Sequence, residues 1–453
     1  MTKSMTVRSS VKDLEAIYMA HEARLPIFEV NGQGPIDANL VNFRDNRMAE
    51  DAHSWFHFKE GFSRRLLPAL LTELEVPRGK PLNLLDPFAG VGTTLLSAQL
   101  ARTGGWQFDA VGVERNPFLS FVANAKLNWH RYDPDRLRIL IDRVLSGGPD
   151  KYEDPLPEYS TLRNRKVYHP LRLRNLLGYR EKIRRIAEGT PEQKFLLLGF
   201  AAILEGVSGV RKDGRALRFV NRRNSRSPRD ALRDTWNRMQ RALERMHARH
   251  GRVNGARVVE GDARELEALG IGGQHGFDLI VYSPPYLNNI DYSEVYKIEL
   301  WMLALVSSYP EFRDLKRSTL RSHPSGNVAQ ETDTFLPPTL EDLLGVLEAA
   351  LPMDGYPWRG DLFRRYALDM QRALRCQFEV LKPGGRCVCV VGNSLHGGKA
   401  GKVPVATDLI VALAARSVGY EVNHMYVARH LRRRDREKSP FLRESILAMT
   451  KPC

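Results

Sequence analysis

Apolar residues along this chain fall into short runs separated by stretches of helical periodicity, as in an open α/β sheet. Leu82-Asn83-Leu84-Leu85 and Ala110-Val111-Gly112-Val113 read as buried strands, and residues 256–260 and 277–282 as two more. Residues 386–391 and 443–447 repeat the pattern near the C-terminus. Helical spacing follows the first strand at Leu95, Leu96, Ala98 and Leu100, spans 171–187 and 193–207, and runs up to Leu303. Leu232, Trp236, Met239, Leu243 and Met246 make one apolar stripe, with Arg238, Arg241, Arg245 and Arg249 on other faces.

The strand at 277–282 stops at Ser283-Pro284-Pro285-Tyr286. Proline has no N–H to donate and fixes φ, so the ladder cannot continue through it. The stop gathers a hydroxyl, a rigid carbonyl and an aromatic ring at the carboxyl end of a strand, where open α/β sheets bind ligands. Ser283 Oγ and the Pro284 carbonyl can accept hydrogen bonds from an –NH2 group, and Tyr286 offers a face for a planar ring. Upstream, the first strand leads into Asp86-Pro87-Phe88-Ala89-Gly90-Val91-Gly92-Thr93-Thr94 and then a helix. Strand, glycine turn and helix let backbone N–H groups approach a ligand closely. Glu114 ends the second strand 22 positions after Gly92, a spacing at which a carboxylate reaches ribose hydroxyls.

Together these residues resemble the S-adenosylmethionine-dependent amino-methyltransferases of DNA, in particular the N4-cytosine and N6-adenine enzymes of restriction–modification systems with an S-P-P-Y motif. The resemblance implies a Rossmann-like methyltransferase fold with a mostly parallel central sheet. On it, residues 86–94 match the cofactor motif, Glu114 the acid that follows, and 283–286 the catalytic motif. Asp262, after the strand at 256–260, matches the acid that reaches the cofactor's adenine amino group. Residues 53–63, with Phe58, Lys59 and Gly61, match the segment that closes over the methionine end. Leu381-Lys382-Pro383-Gly384-Gly385 resembles the turn before a further strand, and 287–292 the neighbourhood that walls the target pocket. The cofactor residues implied are therefore Phe58, Lys59, Gly61, Asp86, Pro87, Phe88, Gly90, Gly92, Thr93, Glu114 and Asp262. The catalytic residues implied are Ser283, Pro284, Pro285 and Tyr286. Here the cofactor motif precedes the catalytic one, whereas many S-P-P-Y cytosine-N4 enzymes have the reverse order.

A length of 453 residues accommodates a catalytic domain of about 250 residues and additional modules. The expected division is an N-terminal segment with the cofactor-binding half at 1–128, a basic, mainly α-helical insertion at 129–255, and the S-P-P-Y half at 256–304. A loop-rich insertion at 305–365 and closing strands and helices at 366–453 complete it. The net charge of +15 favours a polyanionic partner. Between 211 and 250, thirteen Arg or Lys face four acids, and residues 209–229 read more as loop than helix, able to follow a DNA backbone. Arg313, Lys316, Arg317 and Arg321 precede a Ser/His/Pro/Gly stretch whose side chains could read base edges. Cys376, Cys387, Cys389 and Cys453 are too few and scattered for a disulfide framework or a zinc site, and no metal is expected. No signal peptide or membrane-spanning run is visible, so a cytoplasmic location is expected.

An exocyclic amino group has its lone pair delocalised into the ring. Two acceptors on its protons would favour pyramidal nitrogen, and the base must first leave the stack. Carbon-5 chemistry would need a Pro-Cys nucleophile, and the only such pair, Pro452-Cys453, ends the chain. The sequence thus favours a cytosine-N4 DNA methyltransferase with double-stranded DNA as partner and a possible cognate endonuclease. An adenine-N6 enzyme, an RNA amino-methyltransferase and a non-catalytic DNA-binding subunit are the alternatives.

Overall fold

A computed structural model of the chain describes residues 2–214, 216–220, 226–250, 255–273, 276–288, 290–323, 335–351, 359–398, 401–431 and 439–453. Its strands are β1 (Ile27–Glu29), β2 (Pro81–Asp86), β3 (Gln107–Glu114), β4 (Val210–Asp213), β5 (Ala216–Phe219), β6 (Ala256–Glu260), β7 (Phe277–Tyr282), β8 (Leu381–Gly392), β9 (Ser394–Gly398), β10 (Gly401–Val405), β11 (Glu421–His430) and β12 (Arg443–Thr450). Eight of them form one sheet in the order β1-β11-β12-β8-β7-β2-β3-β6. Every neighbouring pair is parallel except those of β12, which runs antiparallel to both β8 and β11. The expected Rossmann-like α/β sheet is present, and each strand read from the sequence lies in it.

The apolar runs are continuous because helices cover both faces of the sheet. Along β7, Leu279 and Val281 enter one core while Ile280 and Tyr282 enter the other. β8 does the same, with Val388 and Val390 against Cys387, Cys389 and Val391. Cys387 and Cys389 are therefore packing residues, as their alternation predicts. Residues 382–385 loop out between two stretches of pairing with β7, with Gly384 at φ +70°, so the proline-glycine turn falls inside β8.

The helices of the 129–255 region are Pro134–Leu145, Pro170–Ile186, Glu192–Ile203 and Pro228–His250. The stripe of Leu232, Trp236, Met239, Leu243 and Met246 is fully buried, and the four arginines beside it are exposed. These apolar residues join the same core as Leu84 of β2, so the region is a layer of the domain rather than an appended module. The 209–229 segment is not simply loop. β4 and β5 pair as an antiparallel hairpin, with Gly214 in the left-handed region at the turn. The hairpin hides from composition because Arg211 and Arg218 are partners on its polar face.

Two further expectations change. Among the described residues of 305–365, helices Tyr309–Ser318 and Pro338–Ala350 dominate rather than loops. Pro310 and Pro338 sit in the first turns of these helices, where the missing N–H costs nothing. Part of the expected loop, 324–334 and 352–358, lies outside the described residues. The N-terminal segment also parts company with the cofactor half. β1 pairs with β11 at the opposite sheet edge, and Tyr18 Oη donates to the Pro404 carbonyl at 3.1 Å.

Candidate active site

Strand order reverses beside β2: β3 and β6 extend to one side, β7 and β8 to the other. That reversal leaves a crevice at the carboxyl ends of β2 and β7, the place where open α/β sheets hold ligands. A cleft of about 840 Å³, counting the solvent at its mouth, opens there. Nine of the fifteen residues expected at the site line it: Phe58, Pro87, Phe88, Gly90, Glu114, Asp262, Ser283, Pro284 and Pro285. The two motifs, separated by almost two hundred residues, thus share one cavity.

Gly90 and Gly92 have φ of +51° and +77°, in the region that disfavours a side chain. A Cβ on Gly92 would also stand 3.0 Å from the Ala123 Cβ, so this glycine lets the loop pack on helix Pro117–Leu127. Gly90 N–H donates to Glu114 Oε2 at 2.7 Å, and Asn116 N–H donates to Oε1 at 2.8 Å. Burial pushes Glu114 up to about 7, against the pull of these N–H donors. Asp86, 2% exposed, accepts from Phe88 N–H at 3.1 Å and is likewise raised by burial to about 7. It holds the loop from beneath and does not line the cleft.

Phe58 stacks on Tyr292 and Tyr296, with ring centroids 6.4 and 5.8 Å away, and stands over Gly90. Gly61 gives it room, because a Cβ there would lie 3.1 Å from the Phe58 ring. Lys59 points elsewhere: its Nζ donates to the Lys212 carbonyl at 3.0 Å and ties β4 to the cleft's rim. Thr93 is buried at the start of helix Thr93–Leu100 with its carbonyl 3.4 Å from His53 Nε2. Lys59, Gly61, Asp86, Gly92 and Thr93 therefore support the site without lining it.

Ser283 is half-buried and its Oγ donates to Tyr286 Oη at 3.1 Å. The Tyr286 ring packs on Gly392 of β8, where a Cβ would stand 2.7 Å from it. Tyr286 thus orients Ser283 but does not line the cleft, unlike the open stacking face expected of it. Tyr292, from the segment expected to wall the target pocket, does line it.

The far wall was not foreseen. Ser318, Thr319, Leu320, Ser322 and His323 complete the cleft. Asp369, 1% exposed on helix Arg359–Val380, holds this segment. It accepts from the Arg321 backbone N–H and Nε at 2.9 Å each and from Arg264 Nη1 at 2.9 Å. Arg264 Nη2 also donates to Asp262 Oδ2 at 2.6 Å. The Arg264 hydrogen bonds and charge hold Asp262 below the usual carboxylate range, overriding its burial. Arg321 is therefore a buried tie, and Lys316 is engaged by Glu294 at 2.8 Å and Asp291 at 3.2 Å. Neither projects freely toward a groove. Glu60, Arg115 and Asn116 also line the cleft, each within two positions of an expected site residue.

The fold and cleft define an α/β protein with a ligand site at a topological switch point. Its sequence relatives are Type II methyltransferases. The chain is 24% identical over 311 residues to Type II methyltransferase M.BsoBI of Geobacillus stearothermophilus, covering 62% of this chain and 58% of that protein. It is 25% identical over 432 residues to Type II methyltransferase M.AvaI of Nostoc sp. and of Anabaena variabilis, covering 86% of this chain and 83% of each. No protein-family model matches the chain. An rRNA methyltransferase of Streptomyces viridochromogenes aligns over 86% of this chain and 85% of its own at 10% identity, with a TM-score of 0.33. That score adds nothing to the topology described above. Among the described residues, no helix is long and apolar enough to cross a membrane, and no cluster of His, Cys, Asp or Glu could hold a metal ion.

Proposed function

We propose that this protein is a DNA amino-methyltransferase that uses S-adenosylmethionine, with N4 of cytosine as its target and modification within a restriction–modification system as its role. The observation that carries the reading is the convergence of the Gly90–Glu114 pair and Ser283–Pro285 on one cleft. The donor set fits a nucleoside cofactor. Glu114 presents a carboxylate for ribose hydroxyls, Asp262 an acceptor for an exocyclic amino group, and Pro87, Phe88 and Leu119 an apolar wall. Gly90 would lie along the cofactor and Phe58 would cover it. When bound, S-adenosylmethionine supplies an electrophilic methyl group.

Ser283 Oγ and the Pro284 carbonyl accept hydrogen bonds from the two N–H groups of the target –NH2 and turn its lone pair out of the ring plane. Accepting through Oγ leaves the Ser283 proton on Tyr286, the direction in which it already points. The cleft walls from 318–323 and Tyr292 hold the extruded base, whose removal from the stack costs about a few kcal/mol. The likeness to Type II methyltransferases supports methyl transfer, and the charge of +15 supports a nucleic acid as its acceptor. The choice of cytosine N4 over adenine N6 rests on the serine form of the motif. The exposed arginines of helix Pro228–His250 are suited to phosphate contacts.

The test is nucleoside mass spectrometry after incubating protein and S-adenosylmethionine with unmethylated genomic DNA, with total RNA in parallel. N4-methylcytosine in the DNA is the expected product. N6-methyladenine would overturn the choice of base, methylation confined to RNA would overturn the choice of polymer, and silence in both would leave a non-catalytic binding subunit.

A further inference from the structure

Phe58 lines a second, smaller cavity as well as the cleft. This cavity, with enclosed room for about one water and about 340 Å³ when the solvent at its mouth is counted, lies between residues 46–58, the loop at Val91 and Thr93, and helix Pro117–Leu127. Its ionisable lining is Arg47, His53, His57 and Lys126, with no carboxylate. Lys126 is the unusual member. It is 2% exposed, and its ammonium makes no hydrogen bond or ion pair with any described residue. Burying a cation without a partner costs several kcal/mol, so the group must shed its proton or acquire an anion. Burial pushes Lys126 down to about 7, leaving both routes open near neutrality.

The nearest carboxylate does not settle the charge. Asp51 accepts from His53 Nδ1 at 2.7 Å and from the His53 backbone N–H at 2.9 Å, and faces Arg64 at 3.4 Å. Its field reaches Lys126 without contact. Arg47 is exposed and makes no ion pair with a described residue. Nearby Arg238 feels Arg241 and Arg47 as like charges, so positive potential continues from the cavity to the surface. His53 is engaged by Asp51 at one ring nitrogen and by Thr93 and Ser97 at the other, so the donors left around this small space are an ammonium, a guanidinium and the His57 imidazole, approaching from different directions as a tetrahedral or planar oxyanion requires.

We propose that this cavity is an oxyanion site, with Lys126 as its buried cation and Arg47 and His57 at its mouth. The oxyanion is a phosphate or a carboxylate. Two sources carry that chemistry: a backbone phosphate of nucleic acid reaching over Arg47, or the carboxylate end of a small molecule seated in the adjoining cleft past Phe58. The existence of the site does not depend on methyl transfer; only the assignment of the second source rests on the function proposed above.

The test compares wild type with Lys126→Met, an unbranched side chain one atom shorter that removes the charge, in calorimetric titrations of the full chain. Sodium phosphate is titrated against a sodium chloride background of equal ionic strength, and wild type is expected to bind it about tenfold more tightly than the variant. A short DNA duplex and S-adenosylmethionine are then titrated separately. A similar loss for the duplex alone assigns the site to backbone phosphate, and for S-adenosylmethionine alone to the carboxylate. Phosphate, duplex and S-adenosylmethionine affinities all unchanged in Lys126→Met would overturn the site. Should that variant fail to fold, exposed Arg47→Gln carries the same three comparisons. In wild type, the Lys126 titration followed by NMR is expected to rise by about one unit when phosphate is added.

Discussion

Replacing Asp369 with alanine tests whether the far wall of the cleft is built by one buried carboxylate. Asp369 is 1% exposed, and its partners Arg264 and Arg321 have side chains 15% and 8% exposed, so solvent screens these ion pairs little. Alanine removes four hydrogen-bonded contacts at once, to Arg264 Nη1 and to Arg321 N, Nε and Nη2. Breaking a buried pair by deleting one partner costs about 3–5 kcal/mol. Arg264 keeps Asp262, which places the expected loss toward the lower end, about 3 kcal/mol. The same deletion frees the Arg321 end of 318–323 while Arg264 still holds the Ser318 carbonyl at 3.0 Å, so cofactor affinity should fall as well, although Asp369 does not line the cleft. Urea unfolding monitored by tryptophan fluorescence gives the first quantity, and calorimetric titration of S-adenosylmethionine gives the second. A stability loss below about 1 kcal/mol, the range of an exposed pair, would refute the reasoning. So would a full stability loss with cofactor affinity unchanged, because the clamp would then not shape the site.

Three further outcomes follow from the geometry. Ser283→Ala is expected to lower single-turnover methyl transfer by about 10²-fold or more while leaving duplex and cofactor affinity within about twofold; equal losses in rate and affinity would remove Ser283 from the chemistry. Glu114 and Asp86 have folded pKa values of about 7, above their ordinary ones, so the folded state binds the extra protons between about pH 4 and 7. Their contribution to stability therefore declines as pH rises through that window, whereas cofactor affinity, which needs the Glu114 carboxylate, should weaken as pH falls below 7; titrations in buffers of different ionisation enthalpy should show proton release near pH 6.5. Gly92→Ala should cost more than Gly79→Ala, although both glycines have φ near +78°, because a Cβ meets Ala123 at 3.0 Å at the first position and nothing within 4 Å at the second. Left-handed strain alone is about 1–2 kcal/mol, so urea midpoints that coincide for the two variants would show that the loop does not press on helix Pro117–Leu127.

What could be read from the sequence was whatever local chemistry forces. Strands β2, β3, β7 and β8 are legible because both faces of each are buried and the apolar run is unbroken. Gly90 and Gly92 are legible because their backbone conformations exclude most side chains, and Ser283–Pro285 because proline ends a strand. Hairpin β4–β5 was missed because its polar face carries arginines that look like a solvated loop. Helices Tyr309–Ser318 and Pro338–Ala350 are hard to read because proline, which breaks a helix in its interior, serves here as a first-turn residue.

Long-range pairing is a different kind of information, and it explains the rest. Nothing near Arg321 marks it as buried; its partner Asp369 is 48 positions away, and Arg264 is 105 positions from that same carboxylate. Both arginines look like surface charge until the fold brings the acid between them. The basic count that suggests a polyanion partner therefore overstates the cations available to one. Arg264 and Arg321 are spent on Asp369, Lys212 on buried Glu299, and Lys316 on Glu294. Among the cations left exposed are Arg238, Arg241, Arg245 and Arg249 of helix Pro228–His250 and Arg47, beside the cavity that holds Lys126. Net charge argues for a partner; the buried pairs show which cations cannot meet it.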